Sequence, residues 1–186
     1  MTDAFEIYMA PTLAREGNGA YTNDPSDRGG ETKWGITAAV ARAFGYTGPM
    51  QDLTRDEAMS VYRARFWVQP RFDQLSVVSV PLAMLMLDLG VNMGTSAPGR
   101  FLQRALSVLG EQGVLYPTVV VDGVCGAMTR SALRLLLGRR GSEGLRVVIQ
   151  AVRAQAGVSY ISMAECRPDD QKYEFGWLCN RAFPVS

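Results

Sequence analysis

The chain has 186 residues and a formal net charge of +1, with 47% hydrophobic and 20% charged residues. These values are typical of a soluble globular protein and give no strong field that would indicate nucleic-acid binding. The sequence contains no histidine, which excludes serine–histidine and cysteine–histidine catalysis and an imidazole-based metal site. Carboxylates, thiols and hydroxyls are left for any acid–base chemistry, and we predict neither a metal nor a cofactor.

The N-terminal sequence MTDAFEIYMA carries acidic residues where a signal peptide needs positive charge and then an apolar run. The chain also lacks a stretch of about 18 consecutive apolar residues, the length that predicts a transmembrane helix. We therefore expect synthesis in the cytoplasm and no stable membrane insertion.

The cysteines Cys125, Cys166 and Cys179 are widely spaced. This spacing fits neither a zinc ribbon nor a two-cysteine redox motif, and free thiols are expected. A bridge between Cys166 and Cys179 stays open if the protein works in an oxidising space.

The first predicted element is a short helix that ends at Glu16. Side chains of one helix face recur at helical spacing before it, at Phe5, Tyr8, Met9, Thr12 and Leu13. Glu16 continues this stripe, and Gly17 and Gly19 are typical of the region just past a helix C-terminus. Burial and the negative end of the helix dipole would both raise the pKa of a carboxyl placed there, which suits a general acid. The alternative is a frayed helix end with Glu16 in water.

A polar loop rich in glycine, asparagine, aspartate and proline follows, up to Thr37. A protonated acid and an ionised carboxylate are the pair that cleavage of a glycosidic bond needs. The loop offers three carboxylates that can partner the glutamate: Asp24, Asp27 and Glu31. A purely structural turn is the main alternative. A calcium loop fits poorly because the regular alternation of ligands in an EF-hand is missing.

The next segments predict helices. Thr37 is placed to cap a short apolar segment over 36–44, and Thr54 with Glu57 forms a capping box for the following helix. Residues 67–75 are interpreted as an aromatic-rich connection. Residues 80–94 are apolar on nearly every side, which is typical of a central helix surrounded by others.

Within this central helix Asp88 and Asn92 lie four residues apart, on one face. A buried polar pair must find hydrogen-bond partners. These two residues either tie a neighbouring loop or helix end into the core or line a substrate cleft.

Further helices are predicted to begin near Ser96, Ala127, Ser142 and Pro168. The helix from Ala127 follows a short apolar strand or extended piece and ends at Gly138 and Gly141. The total is seven or eight helices with little strand, so the fold class is mainly α, with a small polar loop or hairpin after the first helix.

Short motifs occur in a fixed order along the chain. Glu16 is followed by Tyr21-Thr22-Asn23-Asp24-Pro25, Asp27, Gly29-Gly30, Thr32 and Trp34-Gly35-Ile36-Thr37. Then come Leu53-Thr54, Glu57-Ala58, Tyr62-Arg63, Phe66-Trp67, Asp88, Asn92 and Gly94. The second half contains Leu102-Gln103, Val121-Asp122-Gly123, Gly126, Thr129, Gly176-Trp177-Leu178 and Arg181. The first part of this series resembles glycoside hydrolase family 108, and the second resembles the peptidoglycan-binding domain that accompanies it.

This resemblance implies a lysozyme-like N-acetylmuramidase of the phage endolysin type. Residues 1–95 would form the hydrolase region and residues 96–186 the peptidoglycan-binding region, packed together as one compact unit. The substrate would be the β-1,4 bond between N-acetylmuramic acid and N-acetylglucosamine in the glycan strand. A monomer, made in the host bacterial cytoplasm and released through a holin-type membrane lesion, is also implied.

The resemblance assigns the general acid to Glu16. Comparison with phage lysozymes places Asp27 as the second acid and Thr32 as the catalytic hydroxyl. The residues expected to line the sugar groove are Tyr21, Asn23, Asp24, Trp34, Thr37, Tyr62 and Asn92. For each aromatic residue among them, the alternative is a structural position in the protein core.

Two points depart from the family pattern or stay open. The four residues 17–20 separate Glu16 from Tyr21, where the family pattern has only two glycines, so this chain has an apparent two-residue insertion. Asp24 competes with Asp27 as the second carboxylate. We favour Asp27, because the alternative role of Asp24, between Asn23 and Pro25, is to fix the turn.

Two other functions stay open beside the muramidase. A catalytically silent cell-wall binding module would result if the insertion displaces Glu16, and a lytic transglycosylase would use one acid and form an anhydro product. In the second half, Asp122-Gly123 and Thr129 resemble a peptidoglycan-binding motif, but we favour a turn and a helix cap.

Overall fold

A computed structural model describes residues 4–15, 19–23, 30–168 and 171–183. The α-helices are α1 (Ala4–Arg15), α2 (Ala38–Ala43), α3 (Arg55–Arg63), α4 (Phe72–Ser76), α5 (Val80–Met93), α6 (Ser96–Leu109), α7 (Ala127–Cys166) and α8 (Gln171–Trp177). Between and after these helices, the described residues also form the π-helices Ala64–Val68 and Leu178–Ala182 and the 3-10 helices Met50–Asp52 and Glu111–Gly113. The strands are β1 (Tyr21–Thr22), β2 (Thr32–Lys33) and β3 (Ile36–Thr37). In the described part of the chain, this confirms a mainly α fold with about eight helices.

The chain divides into two compact units, Met1–Gln69 and Pro70–Ser186, which we call the N-terminal and C-terminal units. Each unit has buried apolar side chains of its own, such as Phe5 and Met9 in the first and Leu87 and Val148 in the second. The division at residue 95 expected from the sequence stays a prediction.

The N-terminal unit packs α1 against α3 and the π-helix that continues it. Phe5, Met9 and Leu13 are fully buried, which confirms the predicted apolar face of α1, while the side chain of Thr12 lies outside the described part. The Phe5 ring lies 6.0 Å from the ring of Trp67, centroid to centroid. The apolar stripe therefore forms the core of this unit.

A three-stranded antiparallel sheet follows α1, in the order β1-β2-β3. Lys33 pairs with Ile36 across the turn formed by Trp34 and Gly35. Both turn residues have positive φ, 55° and 71°, as the tightest antiparallel hairpins require. The predicted polar loop or hairpin is thus a small sheet.

Two predicted helix starts are confirmed. The Thr37 hydroxyl accepts a hydrogen bond from the Val40 amide at 3.4 Å and caps α2. Thr54 and Glu57 form the complete capping box of α3, with the Thr54 amide donating to Glu57 Oε2 at 2.8 Å. Local side-chain hydrogen bonds therefore fix where both helices begin.

The interpretation of residues 67–75 as a connection is wrong. The π-helix Ala64–Val68 extends α3, and α4 begins at Phe72, after Arg71 in a left-handed conformation with φ 67°. The aromatic residues that suggested a connection are core residues, because Trp67 and Phe72 are both buried.

The C-terminal unit is built on α5, α6 and α7. The stretch 127–166 is one helix with a kink at Gly141, whose φ and ψ are 57° and −144°. The predicted break is therefore confirmed at Gly141, but not at Gly138. Of the two forms predicted for the apolar segment before this helix, a strand or an extended piece, the strand does not form: residues 119–121 lie in no strand, and Val119 is buried while Val120 is exposed.

None of the helices in the described residues has the length and apolar character needed to span a membrane. Cys125, Cys166 and Cys179 carry free thiols. Burial raises the pKa of the Cys125 thiol to about 12, so this group stays protonated at neutral pH.

Candidate functional site

The three acidic site residues predicted from the sequence, Glu16, Asp24 and Asp27, lie outside the described residues. Helix α1 ends at Arg15, the residue directly before Glu16 in the chain. The described part of the candidate site is therefore the hairpin and the helices that hold it.

Glu31 is the loop carboxylate whose position is described. The Tyr21 hydroxyl donates a hydrogen bond to Glu31 Oε1 at 2.7 Å, and the Glu31 backbone carbonyl accepts one from the Ala38 amide at 2.8 Å. These bonds join β1 to the segment before β2 and to the start of α2. In the sequence, Glu31 is only one of three candidate carboxylates of the loop. Its contact with Tyr21 is not predictable from the sequence, because strand pairing brings the two residues together.

Thr32 and Thr37 lie opposite each other in the β2–β3 pair. The Thr32 hydroxyl donates to the Gly30 carbonyl at 3.2 Å, and the Thr37 hydroxyl caps α2. Both side chains are half-buried. Each hydroxyl thus has a local structural bond, and the catalytic role of Thr32 and the substrate-binding role of Thr37 stay predictions.

Trp34 and Tyr62 hold the hairpin turn against the rest of the N-terminal unit. Trp34 Nε1 donates to the Leu53 carbonyl at 3.0 Å, and the Tyr62 hydroxyl donates to the Trp34 carbonyl at 3.1 Å. A side chain at Gly19 would approach the Trp34 ring to 2.6 Å, so the ring packs on the backbone there.

The Tyr62 ring is only 6% exposed and stacks on Phe66, with 5.6 Å between the ring centroids. The structure therefore places Tyr62 in the core, whereas Trp34 and Tyr21 are half-buried and Asn23 is exposed. Sugar binding by these four residues stays a prediction.

In the C-terminal unit, Asp88 ties the C-terminal segment to the central helix. Arg181 Nη1 lies 2.7 Å from Asp88 Oδ1, with the two side chains 31% and 20% exposed. Asn92 is exposed, and its amide donates to the Asp88 backbone carbonyl at 2.7 Å. The expectation that Asp88 holds another element in place is confirmed, and substrate binding by Asn92 stays a prediction.

The Asp122-Gly123 turn is organised around the buried side chain of Gln103. Gln103 Nε2 lies within hydrogen-bonding distance of Asp122 Oδ1, at 2.7 Å, and of Thr129 Oγ1, at 3.2 Å. Its Oε1 accepts from the Gly123 amide at 2.7 Å. The hydrogen bond from Gln103, followed by one from the Val124 amide, lowers the pKa of Asp122. These contacts support the turn interpretation of Asp122-Gly123. The expected helix cap is wrong, because Thr129 lies within α7, whose N-cap is Gly126.

Gly123 shows why the turn needs glycine. Its φ is 91°, and a side chain there would approach the Ser96 carbonyl to 2.9 Å. The turn therefore sits directly on the first turn of α6.

Comparison with known proteins gives two family matches. Residues 9–94 match the family described as Glycosyl hydrolase 108, and residues 97–182 match the family described as Predicted Peptidoglycan domain. A search of curated proteins gives no significant match.

Among solved structures, the chain is similar to the structure of Brucella abortus SagA. The match covers 93% of this chain and 86% of the SagA chain. The TM-score is 0.59 and the sequence identity is 24%. At this identity the likeness shows the fold alone.

Proposed function

We propose that this chain, which belongs to glycosyl hydrolase family 108 and carries a predicted peptidoglycan domain, is an N-acetylmuramidase. The two matched regions support a glycoside hydrolase that acts on peptidoglycan. The single observation that carries the finer assignment is that Glu16, within the matched hydrolase region, follows the last residue of α1 and precedes a three-stranded sheet. A carboxylic acid at this point of the sequence, between a helix and a polar hairpin, suits a general acid in glycosidic bond cleavage.

In the proposed reaction, Glu16 donates its proton to the glycosidic oxygen as the bond to the muramic acid C1 breaks. Asp27 either stabilises the oxocarbenium-like state or orients water. The oxygen of this water bonds to C1, and the proton that it loses passes to one of the two carboxylates. Thr32 would contribute its hydroxyl to the same reaction. The products are two glycan fragments, one with a new reducing-end N-acetylmuramic acid.

The hairpin supports a role in holding the sugar strand. Asn23 is exposed, and Tyr21, Thr32, Trp34 and Thr37 are half-buried. Flat rings and polar groups of this kind suit pyranose rings and their hydroxyls. The Tyr21–Glu31 bond fixes one edge of this surface.

A role in bacterial lysis is proposed from the resemblance to phage endolysins. The enzyme would act as a monomer on cell-wall peptidoglycan after release from the host cytoplasm through a holin-type lesion. Loss of lysis in a phage that carries an inactive copy of this gene would support this role.

The chemistry is tested by mass spectrometry of the fragments that the purified protein releases from peptidoglycan. We expect fragments that end in reducing N-acetylmuramic acid. Anhydro-muramic ends would identify a lytic transglycosylase instead. Absence of soluble fragments, together with retained binding to the insoluble wall, would identify a binding module.

A further inference from the structure

A groove with a volume of about 650 Å³ lies on the N-terminal unit, between the end of α2 and the α3 helix with its π-helical extension. This volume falls within the range of about 300–1,000 Å³ that is typical of ligand sites. The lining residues that determine its charge and polarity are Phe44, Ser60, Arg63, Arg65, Val68 and Gln69. We call it the arginine groove.

The groove combines positive charge with apolar walls. Two arginines and no carboxylate occur among the described residues that line it. Phe44 and Val68 supply apolar surface and are 37% and 43% exposed. A ligand that fits this surface carries negative charge next to small apolar groups.

The two arginines differ in how they are held. Arg63 Nη2 lies 3.2 Å from Glu6 Oε1, and its guanidinium carbon lies 4.6 Å from the centroid of the Phe5 ring. Arg63 is therefore anchored to α1, and Glu6 offsets part of its charge. The guanidinium of Arg65 lies over the Phe66 ring at 5.2 Å and makes no ion pair or hydrogen bond within the described residues. Its five donors are thus left for a ligand.

The backbone of this wall is a π-helix, which is a second sign of a binding site. The Gln69 amide donates to the Ala64 carbonyl at 3.0 Å, five residues back. This arrangement is rare in proteins and occurs frequently at functional sites. Here it supplies Ala64, Arg65 and Val68 to the groove.

We propose that the arginine groove binds the stem peptide of peptidoglycan, with the Arg65 guanidinium contacting a free carboxylate of that peptide. Stem peptides carry free carboxylates beside alanine methyl groups, and a guanidinium pairs with a carboxylate through two parallel hydrogen bonds. The inference rests on the proposed function, because it takes the substrate to be a peptidoglycan strand that carries these peptides.

The distances within the N-terminal unit fit this assignment. Helix α2 has six residues and begins at the hairpin, so the groove at its end lies about 9 Å further along the helix. An extended tetrapeptide spans up to about 14 Å. A stem peptide on a sugar held at the start of α2 is therefore long enough to span this axial distance.

The first test compares two substrates, intact peptidoglycan glycan and the same glycan stripped of its peptides by an amidase. Arg65→Gln is expected to lower kcat/KM on the intact glycan by about tenfold, because a charged hydrogen-bonded pair is lost. Its kcat/KM on the stripped glycan should equal that of the wild type. Arg65→Lys should recover part of the loss.

The matched control is Arg55→Gln, which removes the same charge from the exposed first residue of α3, outside the groove. This variant should behave as wild type on both substrates. An equal loss for Arg55→Gln and Arg65→Gln, or an equal loss on both substrates, would overturn the proposal.

The second test measures peptide binding directly. Its result is valid even if the protein hydrolyses neither glycan. The tetrapeptide L-alanyl-γ-D-glutamyl-L-lysyl-D-alanine is titrated into the full chain and followed by NMR. When the peptide binds the wild type, we expect chemical-shift changes at groove residues, and these changes should be absent in Arg65→Gln. The carboxyl-amidated peptide should bind the wild type about tenfold more weakly. Equal binding of the amidated peptide, or of inorganic phosphate at the same concentration, would contradict recognition of the stem-peptide carboxylate. Lack of hydrolysis by the wild type would contradict the proposed function alone.

Discussion

The two polar turns of this chain, the hairpin in the N-terminal unit and the Asp122-Gly123 turn in the C-terminal unit, use their side chains differently. At the second turn, Gln103 is 1% and Thr129 is 2% exposed, and their polar atoms bond to one another and to the backbone. At the hairpin, Asn23 is exposed and Tyr21 is half-buried. Polar side chains near a turn can thus form a closed structural network or an accessible polar surface.

Replacement of Gln103 by leucine should produce the largest loss of stability. The substitution removes the central partner of Asp122, Gly123 and Thr129 and leaves buried polar groups unpaired. We expect the free energy of unfolding to fall by about 3 kcal/mol. The melting temperature should fall by roughly 10 °C in calorimetry.

Gln150→Leu is the matched control for this change. Gln150 is exposed on α7, and its side chain accepts one hydrogen bond from Arg146 at 3.0 Å. Its loss should shift the melting temperature by at most about 2 °C. Similar shifts for both variants would show that the Gln103 network is not a structural centre.

At the hairpin, Trp34→Phe should lower the free energy of unfolding by less than Gln103→Leu does. The variant loses the hydrogen bond from Trp34 Nε1 to the Leu53 carbonyl, which is part-buried. We expect a loss of about 1 kcal/mol in urea unfolding. Tyr46→Phe, which removes an exposed hydrogen bond to the Pro49 carbonyl, should cost less than half of that. A loss for Trp34→Phe as large as that for Gln103→Leu would remove the contrast between the two turns.

The smallest effect concerns acid stability. Hydrogen bonds from Gln103 and the Val124 amide lower the pKa of Asp122 in the folded state. Its contribution to stability is therefore complete above the unfolded-state pKa of about 3.9 and is lost as the pH falls through the lowered folded-state pKa. Wild type should be more stable than Asp122→Asn at pH 7, and the difference should shrink at acid pH. A difference between their melting temperatures that is constant from pH 7 to pH 2 would contradict this linkage.

Much of the fold follows from local sequence signals. The capping box at Thr54 and the apolar stripe of α1 identify their helices because the responsible contacts lie within a few residues. The π-helix and α4 were missed because their aromatic residues face a core made by distant segments. The exact extent of such elements depends on tertiary packing that periodicity does not encode.

The place of the hairpin in the chain was predictable from the sequence, but its contacts were not. The polar loop after α1 was identified from its residue types, and a sheet was found there. Partners that meet through strand pairing or across the unit, such as Tyr21 with Glu31 and Trp34 with Leu53, are ten or more residues apart. No short sequence pattern links such pairs, and the arginine groove arises in the same way.

The central claim is that Glu16 carries the chemistry of the hairpin region. The most direct test is the rate of peptidoglycan clearing by Glu16→Gln, measured with its melting temperature and beside Glu165→Gln, an exposed control on α7. We predict a loss of at least about 100-fold for Glu16→Gln, since a general acid contributes that much or more. Its melting temperature should stay unchanged, and Glu165→Gln should keep full activity. Clearing by Glu16→Gln at the wild-type rate would contradict the account.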